Sequence, residues 1–311
     1  MKKRGKNLKY TNDFQPKVAV IILNYCNYQD TLSCIKSLLK IDYSNYKVFV
    51  VDNNSPNESL KYLNTIIENN VEIIESGMNG GFAYGNNIGI KMALEDNSDY
   101  VLLLNNDTLV DKNFLEPLLC AAEKEKNVGI VSPRIMFYPD ADKIWYAGGK
   151  VDWNNLRAIH YGLKEKLSDG YLKEAMVNFA SGCCMLIPRE VIDTVGFLPE
   201  EYFMYYEDMD YCVKVMDKGY KIKYVPESVI YHRVSSSSGG EESAFCIEWQ
   251  NRARRTFMKK YGNDIFNPFT YVLVSIKCEM RSLVKIVLST NKKNKLQAYI
   301  ASFRNTLRMD Q

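Results

Sequence analysis

The chain has 311 residues, 46% of them hydrophobic, so it can bury a large core as one domain, with or without an appendage. Its formal net charge of +3 lacks the basic excess of a nucleic-acid-binding protein, so no nucleic-acid partner is expected. Eight cysteines without a C-x-x-C pair and only two histidines argue against a zinc site and predict buried thiols in a reducing cytosol.

The N-terminal residues 1–9 are basic, but no apolar segment of signal-peptide length follows them. No run of 18 or more apolar residues occurs in the chain, so a transmembrane helix is not expected. We therefore expect a cytoplasmic protein.

Four apolar runs predict buried parallel strands, at residues 18–23, 48–51, 71–74 (the weakest) and 100–104. A strand that is covered on both faces is apolar without alternation, which is the pattern seen here. The three strong runs end in Asn24, Asp52 and Asn105, and each precedes a helical pattern. This order predicts an α/β fold whose sheet has a polar, ligand-facing edge at the carboxyl ends of its strands.

The polar residues at these strand ends suit a metal ion and a nucleotide. Asn105, Asn106 and Asp107 offer the oxygen ligands that Mg²⁺ and Mn²⁺ take together with phosphates. Tyr25, which we expect to be buried, could stack on a nucleobase, and the acidic and amide groups beside it could accept a hydrogen bond from a ring N–H. The alternatives are a helix that begins near Leu109 and is capped by residues 105–107, and ordinary turn chemistry in each loop. Three such loops at successive strand ends favour the ligand site.

The glycine-rich segment 80–87 lacks the G-x-G-x-x-G pattern and follows the weakest strand, which argues against a dinucleotide-binding enzyme. Its glycines would let the backbone approach a bound ligand, with a helix beginning at Ala83. A sugar-phosphate nucleotidylyltransferase would need a basic, glycine-rich loop after the first strand, and residues 24–27 are unlike that. An apolar run ending at Pro188, which contains Cys183 and Cys184, predicts a core strand.

The segment Glu207-Asp208-Met209-Asp210 is a second chemical centre. The aromatic residues at 203, 205 and 206 would partly desolvate a carboxylate and raise its pKa toward that of a useful general base. A helix is predicted over residues 211–218, so the acidic residues could instead stabilise the helix N-terminus. Both roles can hold, with one carboxylate at the cap and another in a cleft.

Taken in order, these motifs resemble the family-2 inverting glycosyltransferases, and within them the bacterial rhamnosyltransferase-type branch. The resemblance covers roughly residues 17 to 262. The matching motifs are Asn24-Tyr25, Val51-Asp52-Asn53-Asn54-Ser55, Gly80-Gly81-Phe82-Ala83, Gly85-Asn86-Asn87, Leu104-Asn105-Asn106-Asp107-Thr108, the run from Phe203 to Cys212, Gly219, Pro226 and His232. The resemblance implies a GT-A fold, which is a mixed, mostly parallel central sheet flanked by helices, together with a nucleotide-sugar donor and a divalent metal.

The resemblance also implies a role for each site residue. Asp208 is expected to be the catalytic base, with Glu207, Ser181 and Gly182 at the acceptor. Asp107 and His232 are expected to hold Mn²⁺ or Mg²⁺, although a lone histidine is ordinarily a core or surface residue. The residues expected at the donor are Asn24, Tyr25, Asp52, Gly81, Asn86, Asn105 and Asn106. His160, in the segment 151–171, is given no role.

Two positions depart from the family pattern. The usual Asp-X-Asp is Asn105-Asn106-Asp107 here, which leaves one carboxylate at that turn. We therefore expect weak cation binding that the donor diphosphate completes. The other departure is Cys26, which stands where the family often has asparagine.

The expected function is metal-dependent, inverting transfer of rhamnose or another hexose in cell-surface polysaccharide synthesis. The donor would be a dTDP- or UDP-linked sugar, and the acceptor a glycan or a polyprenyl-linked glycan. The alternative is a catalytically weak glycan-binding or scaffold protein on a degenerate transferase fold. The joint presence of Asp52, Asp107, Asp208 and His232 argues against this alternative, whereas the missing first aspartate favours it.

The domain prediction is a basic tail at 1–14, a catalytic domain at 15–262 and a basic helical extension at 263–311. A helix is predicted over 242–261, and eight basic residues against one acidic residue follow between positions 277 and 308. This extension is either an amphipathic helix on the anionic inner face of the membrane or a helix that packs on the catalytic domain. The Ser/Gly tract at 235–240 is either a lid over the donor or a linker.

Overall fold

The computed structural model describes residues 15–234 and 243–307, and it places a ten-stranded sheet at the centre of this part of the chain. The strands are β1 (Val18–Asn24), β2 (Tyr46–Asp52), β3 (Val71–Glu75), β4 (Tyr100–Asn105), β5 (Thr108–Val110), β6 (Val128–Phe137), β7 (Ile144–Tyr146), β8 (Gly149–Asp152), β9 (Arg157–His160), β10 (Ala175–Val177), β11 (Cys184–Pro188) and β12 (Lys221–His232). The strands β8 and β9 form a separate hairpin.

Helices flank this sheet. They are α1 (Tyr28–Leu38), α2 (Ser59–Leu63), α3 (Gly81–Glu95), α4 (Leu115–Lys124), α5 (Arg189–Val195), α6 (Glu207–Asp217), α7 (Ala244–Ile265), α8 (Pro268–Leu288) and α9 (Lys292–Leu307). Short 3₁₀ turns lie at Trp153–Asn155 and Asp169–Tyr171.

The sheet is mixed and mostly parallel, as predicted. Its main strand order is β10-β12-β6-β11-β4-β1-β2-β3, and β1 pairs in parallel with both β2 and β4. In this register Asn24 lies beside Asp52, and Leu23 beside Asn105, so the polar strand ends meet at one edge. The predicted core strand is β11, which is fully buried and runs antiparallel between β4 and β6.

Several element boundaries differ from the prediction. Residues 108–110 form β5 and the next helix begins at Leu115, so the predicted alternative of a helix beginning near Leu109 is wrong. The helix α6 begins at Glu207 rather than at residue 211, which puts the acidic cluster in its first turn. The strand β12 has 12 residues because it pairs with β6 on both sides of an irregularity between Val225 and Val229. Pro226 lies in that irregularity, where a residue without an N–H is tolerated.

The glycines of α3 allow close contact with the rest of the protein. A Cβ added to Gly85 would lie 2.2 Å from the Leu23 side chain, and one added to Gly89 would lie 2.4 Å from Ile21. Gly81 has φ +90°, and a Cβ there would lie 2.1 Å from the carbonyl oxygen of Phe203. The helix therefore packs directly on β1 and on the segment before α6, and it begins at Gly81 rather than at Ala83.

The C-terminal helices are capped by their sequence. Ser243 accepts a hydrogen bond from the Cys246 N–H at the start of α7, and Asn267 accepts one from Thr270 at the start of α8. The predicted boundary after residue 262 falls within α7. No helix in residues 15–234 and 243–307 is long and apolar enough to cross a membrane. The tract 235–240 and the predicted basic tail at 1–14 lie outside the described residues.

All eight cysteines are free thiols, and six of them are buried, as predicted. Burial raises the pKa of the Cys34 thiol to about 12. A thiol with this pKa stays protonated at neutral pH, so it behaves as a small apolar group.

Candidate active site

A cavity of about 1320 Å³ opens at the polar edge of the sheet. Its walls include the ends of β1 and β4, the first turn of α6, the end of β12, and parts of α7 and α8. The predicted site residues that line it are Tyr25, Gly81, Asn105, Asn106, Asp107, Ser181, Gly182, Glu207, Asp208 and His232. Tyr25 is exposed, so the prediction that it is buried is wrong.

The pair of Asp107 and His232 is formed by strand pairing. The strand β12 runs antiparallel to β5, which sets His232 opposite Thr108, the residue after Asp107. His232 Nε2 lies 3.0 Å from Asp107 Oδ1, and both side chains are buried. The imidazole also packs edge-on against Trp145 at a ring distance of 4.5 Å.

The donor set of this pair fits a divalent cation. Two neighbouring ligand atoms on an octahedral ion with bonds of about 2.1 Å are about 3 Å apart, the separation found here. His232 Nδ1 is buried and has no hydrogen-bond partner among the described residues. In the same part of the chain no three His, Cys, Asp or Glu side chains lie close enough to hold an ion. The remaining ligands would therefore come from elsewhere, as expected from the single carboxylate of the 105–107 turn.

The Asn106 side chain and the Asn105 backbone stabilise the turn that contains Asp107. Asn106 Nδ2 donates to Thr31 Oγ1 at 3.0 Å, which ties the turn to α1. The Asn105 carbonyl accepts a hydrogen bond of 2.7 Å from the Thr108 hydroxyl. These bonds hold Asp107 at the cavity wall.

Asn24 at the end of β1 and Asp52 at the end of β2 are buried and do not line the cavity. Asn24 Nδ2 donates to Asp52 Oδ1 at 2.7 Å, and the backbone N–H and hydroxyl of Ser55 donate to the same carboxylate at 2.9 and 2.7 Å. Asp52 thus closes a tight turn with its own neighbours. Asn86 is also buried outside the lining, where its Nδ2 donates to the Phe82 carbonyl within α3. The predicted donor contacts of these three residues stay predictions.

Asn53 is a lining residue that the sequence reasoning did not single out. Its Nδ2 donates to Asn79 Oδ1 at 2.9 Å and to the Gly81 carbonyl at 3.1 Å. Its Oδ1 is buried with no hydrogen-bond partner among the described residues. A buried acceptor without a partner at the cavity wall is suited to a donor group on a ligand. The polar run after β2 contains this residue, but the run alone does not tell which of its members faces the cavity.

The carboxyl groups of Glu207 and Asp208 face the cavity from the first turn of α6. Burial raises the pKa of both groups, and for Glu207 the charge of Asp208 adds to this effect. Asp208 accepts hydrogen bonds from the N–H groups of Gly182 (3.0 Å) and Met209 (2.8 Å), which oppose the rise. Glu207 Oε2 is buried without a hydrogen-bond partner among the described residues. Of the two, Asp208 is therefore better stabilised as a carboxylate.

The backbone before α6 is strained. Tyr205 and Tyr206 have φ values of +71° and +72°, in the left-handed region that side chains other than glycine rarely adopt. Both rings line the cavity, and the Tyr206 hydroxyl donates to the Leu156 carbonyl at 2.5 Å. Such strain is maintained only by surrounding contacts and is often found at functional sites.

Asp210, the third acid of the cluster, has a different environment. It is fully buried and accepts hydrogen bonds from Tyr202 (2.8 Å) and Tyr261 (2.9 Å). Its carboxylate also pairs with Lys260 Nζ at 2.8 Å. Asp210 therefore joins α6 to α7 and is not part of the cavity wall.

The predicted acceptor residues lie close to Asp208. Ser181 and Gly182 precede β11 and line the cavity, and the Gly182 N–H is one of the donors to the Asp208 carboxylate. His160, which was given no role, also lines the cavity. Burial lowers its pKa to about 4, so it is neutral at neutral pH.

The C-terminal helices supply lining residues that the sequence reasoning did not assign. Trp249 and Arg254 of α7, and Arg281 and Lys285 of α8, all face the cavity. Arg254 is buried and donates to Asn251 Oδ1 at 2.8 Å and to Glu279 Oε1 at 3.0 Å. The cavity is thus lined from both sides of the predicted boundary at residue 262. The arginine and lysine content of this region is the only sequence signal that could have indicated these lining residues.

Comparisons with known proteins agree with this geometry. The family described as "Glycosyl transferase family 2" matches residues 19–196. The chain is 31% identical, over 63% of its length and 61% of the relative, to the low-salt glycan biosynthesis hexosyltransferase Agl10 of Haloferax volcanii. It is 27% identical to the dTDP-rhamnosyl transferase RfbF of Shigella flexneri, over 68% of each protein.

A third relative is the N-acetylglucosaminyl-diphospho-decaprenol L-rhamnosyltransferase of Mycobacterium tuberculosis, which is 26% identical over 56% of this chain and 62% of that protein. The chain thus spans about three fifths to two thirds of the length of these relatives.

Two solved structures share the fold, and both are glycosyltransferases. GalNAc-T7 with UDP, GalNAc and Mn²⁺ has a TM-score of 0.62 and 18% identity, over 77% of this chain and 48% of that one. The mannosyltransferase PcManGT of Pyrobaculum calidifontis, in complex with GDP-Man and Mn²⁺, has a TM-score of 0.59 and 14% identity, over 96% of this chain and 89% of that one. The predicted GT-A fold is confirmed.

Proposed function

Because the chain belongs to glycosyl transferase family 2, we propose that it transfers a sugar from a nucleotide-diphosphate donor to an acceptor hydroxyl with inversion at the anomeric carbon. The observation that carries this proposal is one cavity that holds both the Asp107–His232 pair and the Glu207–Asp208 pair. The first pair suits the leaving diphosphate, and the second pair suits the attacking hydroxyl.

Asp208 is the proposed general base. An inverting transfer needs one carboxylate beside the acceptor hydroxyl, which takes its proton while the oxygen attacks the anomeric carbon and the bond to the diphosphate breaks. The N–H groups of Gly182 and Met209 keep the Asp208 side chain in place and favour its ionised form. Burial and the neighbouring charge of Asp208 raise the pKa of Glu207, which favours its protonated form, and in that form it can donate a hydrogen bond to the acceptor.

Asp107 and His232 are the proposed protein ligands of Mn²⁺ or Mg²⁺. A divalent cation at this position would neutralise the negative charge that develops on the departing nucleoside diphosphate. The two Mn²⁺-containing structures of the same fold support this assignment. With one carboxylate and one imidazole, the protein alone should bind the ion weakly.

The proposed donor is dTDP- or UDP-linked rhamnose or another hexose. Support comes from the dTDP-rhamnosyl transferase and the hexosyltransferase among the relatives. At the donor end of the cavity Tyr25 and Asn53 offer a ring face and an acceptor without a partner. Asn105 and Asn106 would contact the donor beside the ion. Asn24, Asp52 and Asn86, which are buried outside the lining, would support these contacts through the turns that they stabilise.

The proposed acceptor is a glycan or a polyprenyl-linked glycan of cell-surface polysaccharide synthesis. The mycobacterial relative, whose name specifies a diphospho-decaprenol acceptor, supports a lipid-linked substrate. The cationic side chains of Arg281 and Lys285 at the cavity wall suit the diphosphate of such a lipid. A lipid-linked acceptor would require the enzyme to work at a membrane surface.

A panel of nucleotide sugars tests the proposal. We expect metal-dependent release of nucleoside diphosphate with one donor class, loss of this release in EDTA, and a product of inverted anomeric configuration by NMR. Release that is unaffected by EDTA would refute the metal assignment. A product that retains the donor configuration would refute the mechanism. Binding of glycans without turnover of any donor would favour the alternative of a binding protein.

The metal ligands can be tested without turnover. Asp107→Ala should abolish the nucleoside-diphosphate-supported binding of Mn²⁺, measured by electron paramagnetic resonance, because it removes the only carboxylate of the pair. The control is Asp111→Ala, because Asp111 directly follows β5 and does not line the cavity. This control should bind Mn²⁺ like the wild type. Unchanged Mn²⁺ binding in Asp107→Ala would place the ion elsewhere.

A further inference from the structure

The helix α8 has two faces of different character. Val274, Cys278 and Ile286 are buried on one face, beside α7 and the 3₁₀ turn at 153–155. The opposite face carries an exposed apolar stripe in which every side chain is between 49% and 80% exposed. The stripe consists of Phe269, Val272, Leu273, Ile276, Met280, Val284, Val287 and Leu288. Their spacing of three and four residues aligns them along one side of a helix about 30 Å long.

A row of basic side chains borders this stripe. Lys277, Arg281 and Lys285 follow each other at intervals of four residues, so they lie on one edge of the helix. At 100° per residue this edge lies between the apolar stripe and the buried face. Arg281 and Lys285 also line the cavity. The basic row therefore separates the exposed stripe from the cavity that contains Asp208.

The basic row keeps unused hydrogen-bond donors. Lys277 Nζ donates to the Asn154 carbonyl at 3.3 Å, and Arg281 donates to the Asn155 carbonyl at 3.1 Å. Each bond uses one of the three donors of a lysine or the five of an arginine. The remaining donors are available to anionic oxygens.

The charge around the stripe favours an anionic occupant over a second copy of the chain. Between residues 268 and 307 there are seven basic residues, and Glu279 is the single acidic one. Glu279 already pairs with Arg254 at 3.0 Å and Arg255 at 2.9 Å. The α8 surface of a second copy would therefore offer no free carboxylate to the basic row.

We propose that α8 docks on the surface of an anionic lipid bilayer, with its apolar stripe among the acyl chains and Lys277, Arg281 and Lys285 at the lipid phosphates. A helix with an apolar face and a basic border, too polar to cross the membrane, binds in the interfacial plane. This docking rests on the proposed function for its purpose, since it brings the cavity beside the headgroups, where the diphosphate of a lipid-linked acceptor lies.

Co-sedimentation with vesicles tests the proposal without any turnover. The wild type should bind phosphatidylcholine vesicles that contain phosphatidylglycerol, and should bind pure phosphatidylcholine vesicles more weakly. Two triple variants separate the contributions. The stripe variant is Ile276→Ser/Met280→Ser/Val284→Ser, and the row variant is Lys277→Gln/Arg281→Gln/Lys285→Gln.

The row variant should bind anionic vesicles about 100-fold more weakly at low salt, at about fivefold per basic residue, and this difference should shrink at high salt. The stripe variant should bind both kinds of vesicle at least about tenfold more weakly, because three apolar side chains no longer enter the acyl region. Five of these six side chains are exposed and Arg281 is half-buried, so circular dichroism should show that both variants are folded.

Matched controls lie elsewhere on the surface. Lys36→Gln/Lys40→Gln/Lys126→Gln removes three exposed charges, and Ile67→Ser/Met78→Ser/Met176→Ser removes three exposed apolar groups. Both controls should bind vesicles like the wild type. Equal losses in the controls, or no vesicle binding by the wild type, would overturn the proposal. A dimer in analytical ultracentrifugation that the stripe variant dissociates, with no vesicle binding, would identify the stripe as an interface between copies.

Failure of the docking is distinguishable from failure of the proposed activity. The stripe side chains do not line the cavity, so the stripe variant should release nucleoside diphosphate from the donor in vesicle-free buffer at the wild-type rate. Vesicle binding without turnover of any donor would leave the docking surface standing and refute the transferase activity. If the wild type turns over a donor but does not bind anionic vesicles, the docking is refuted and the transferase activity is not.

Discussion

The carboxyl groups of Asp208 and Glu207 follow each other along the chain but have different hydrogen-bond partners. Two backbone N–H groups stabilise the Asp208 carboxylate, whereas Glu207 Oε2 is buried with no hydrogen-bond partner in the described part of the chain. The pKa of Glu207 is raised by burial and by the negative charge beside it. When two neighbouring acids differ in this way, one is suited to accept a proton and the other to donate a hydrogen bond.

Asp208→Asn should lower kcat by about 10²-fold or more and leave donor affinity near the wild-type value. The amide keeps the shape of the side chain but cannot take the proton of the acceptor. Steady-state kinetics and calorimetric titration of the donor would measure the two effects. If Asp208→Asn transfers sugar at a near-normal rate while Glu207→Gln does not, the base is Glu207.

Glu207→Gln should make the protein more stable at neutral pH, and this gain should disappear in acid. The raised pKa of Glu207 in the folded protein means that folding binds a proton at this carboxyl. Its contribution to the free energy of unfolding is therefore fully present below the unfolded pKa and is lost as the pH rises through the folded pKa. Glutamine keeps the shape of the side chain but does not ionise, so the variant does not lose this contribution to the free energy of unfolding as the pH rises. Thermal midpoints of both proteins across a pH series would show the difference, and a constant difference at all pH values would contradict it.

At the scale of secondary-structure elements, contacts between helices explain why Asp210, the third acid in the first turn of α6, has a different role. Asp210 points from α6 toward α7, where Lys260 and Tyr261 meet it, and Tyr202 completes the set. The acidic cluster of α6 therefore serves both the cavity and the packing of α7. The two purposes follow from helix periodicity, because residues 208 and 210 differ by about 200° around the helix axis.

Asp210→Ala should destabilise the protein by about 2–4 kcal/mol, because the buried carboxylate, its contact with Lys260 and two tyrosine hydrogen bonds are lost. Denaturant unfolding would measure this loss. Tyr261→Phe removes a single hydrogen bond and should cost only about 1 kcal/mol. At temperatures where Asp210→Ala is folded, its kcat should stay close to the wild-type value, and a large loss of kcat in the folded variant would assign Asp210 to catalysis instead.

At the scale of the whole molecule, the C-terminal helices close one side of the cavity. The buried guanidinium of Arg254 on α7 is satisfied by Glu279 and Ser282 of α8. Arg255 forms a bidentate pair with the same glutamate, at 3.0 and 2.9 Å. Ion pairs between α7 and α8 thus join the catalytic part to the extension, and each charged group would lose its partner if the other helix were absent.

Removal of residues 263–311 should therefore leave Arg254 without its carboxylate and open the cavity. We expect a loss of about 3–5 kcal/mol in the free energy of unfolding, which is the usual cost of breaking a buried ion pair. Differential scanning calorimetry would show a lower midpoint for the truncated chain. A truncated protein with the wild-type midpoint and donor affinity would show that residues 15–262 form an independent domain.

The sequence by itself determined the family and the first parallel strands of the sheet, and ten of the thirteen site residues that it predicted line the cavity. Apolar runs that end in Asn24, Asp52 and Asn105 depend only on neighbouring residues, so they predict buried parallel strands and a polar edge without knowledge of the tertiary structure. The order of the motifs also predicts that the acidic cluster of α6 and the histidine that ends β12 belong to the site. Patterns of this kind are local, and local patterns can be read from one chain.

Only the tertiary structure decided which members of each polar cluster face the cavity. Asp107 and His232 are 125 positions apart, and they meet because β12 pairs with β5. Asp52 is enclosed by its own turn, whereas the neighbouring Asn53 lines the cavity. The basic residues of α8 reach the site because α8 packs beside α7. Contacts between distant segments depend on topology and packing, and neither is contained in the spacing of residues along the chain.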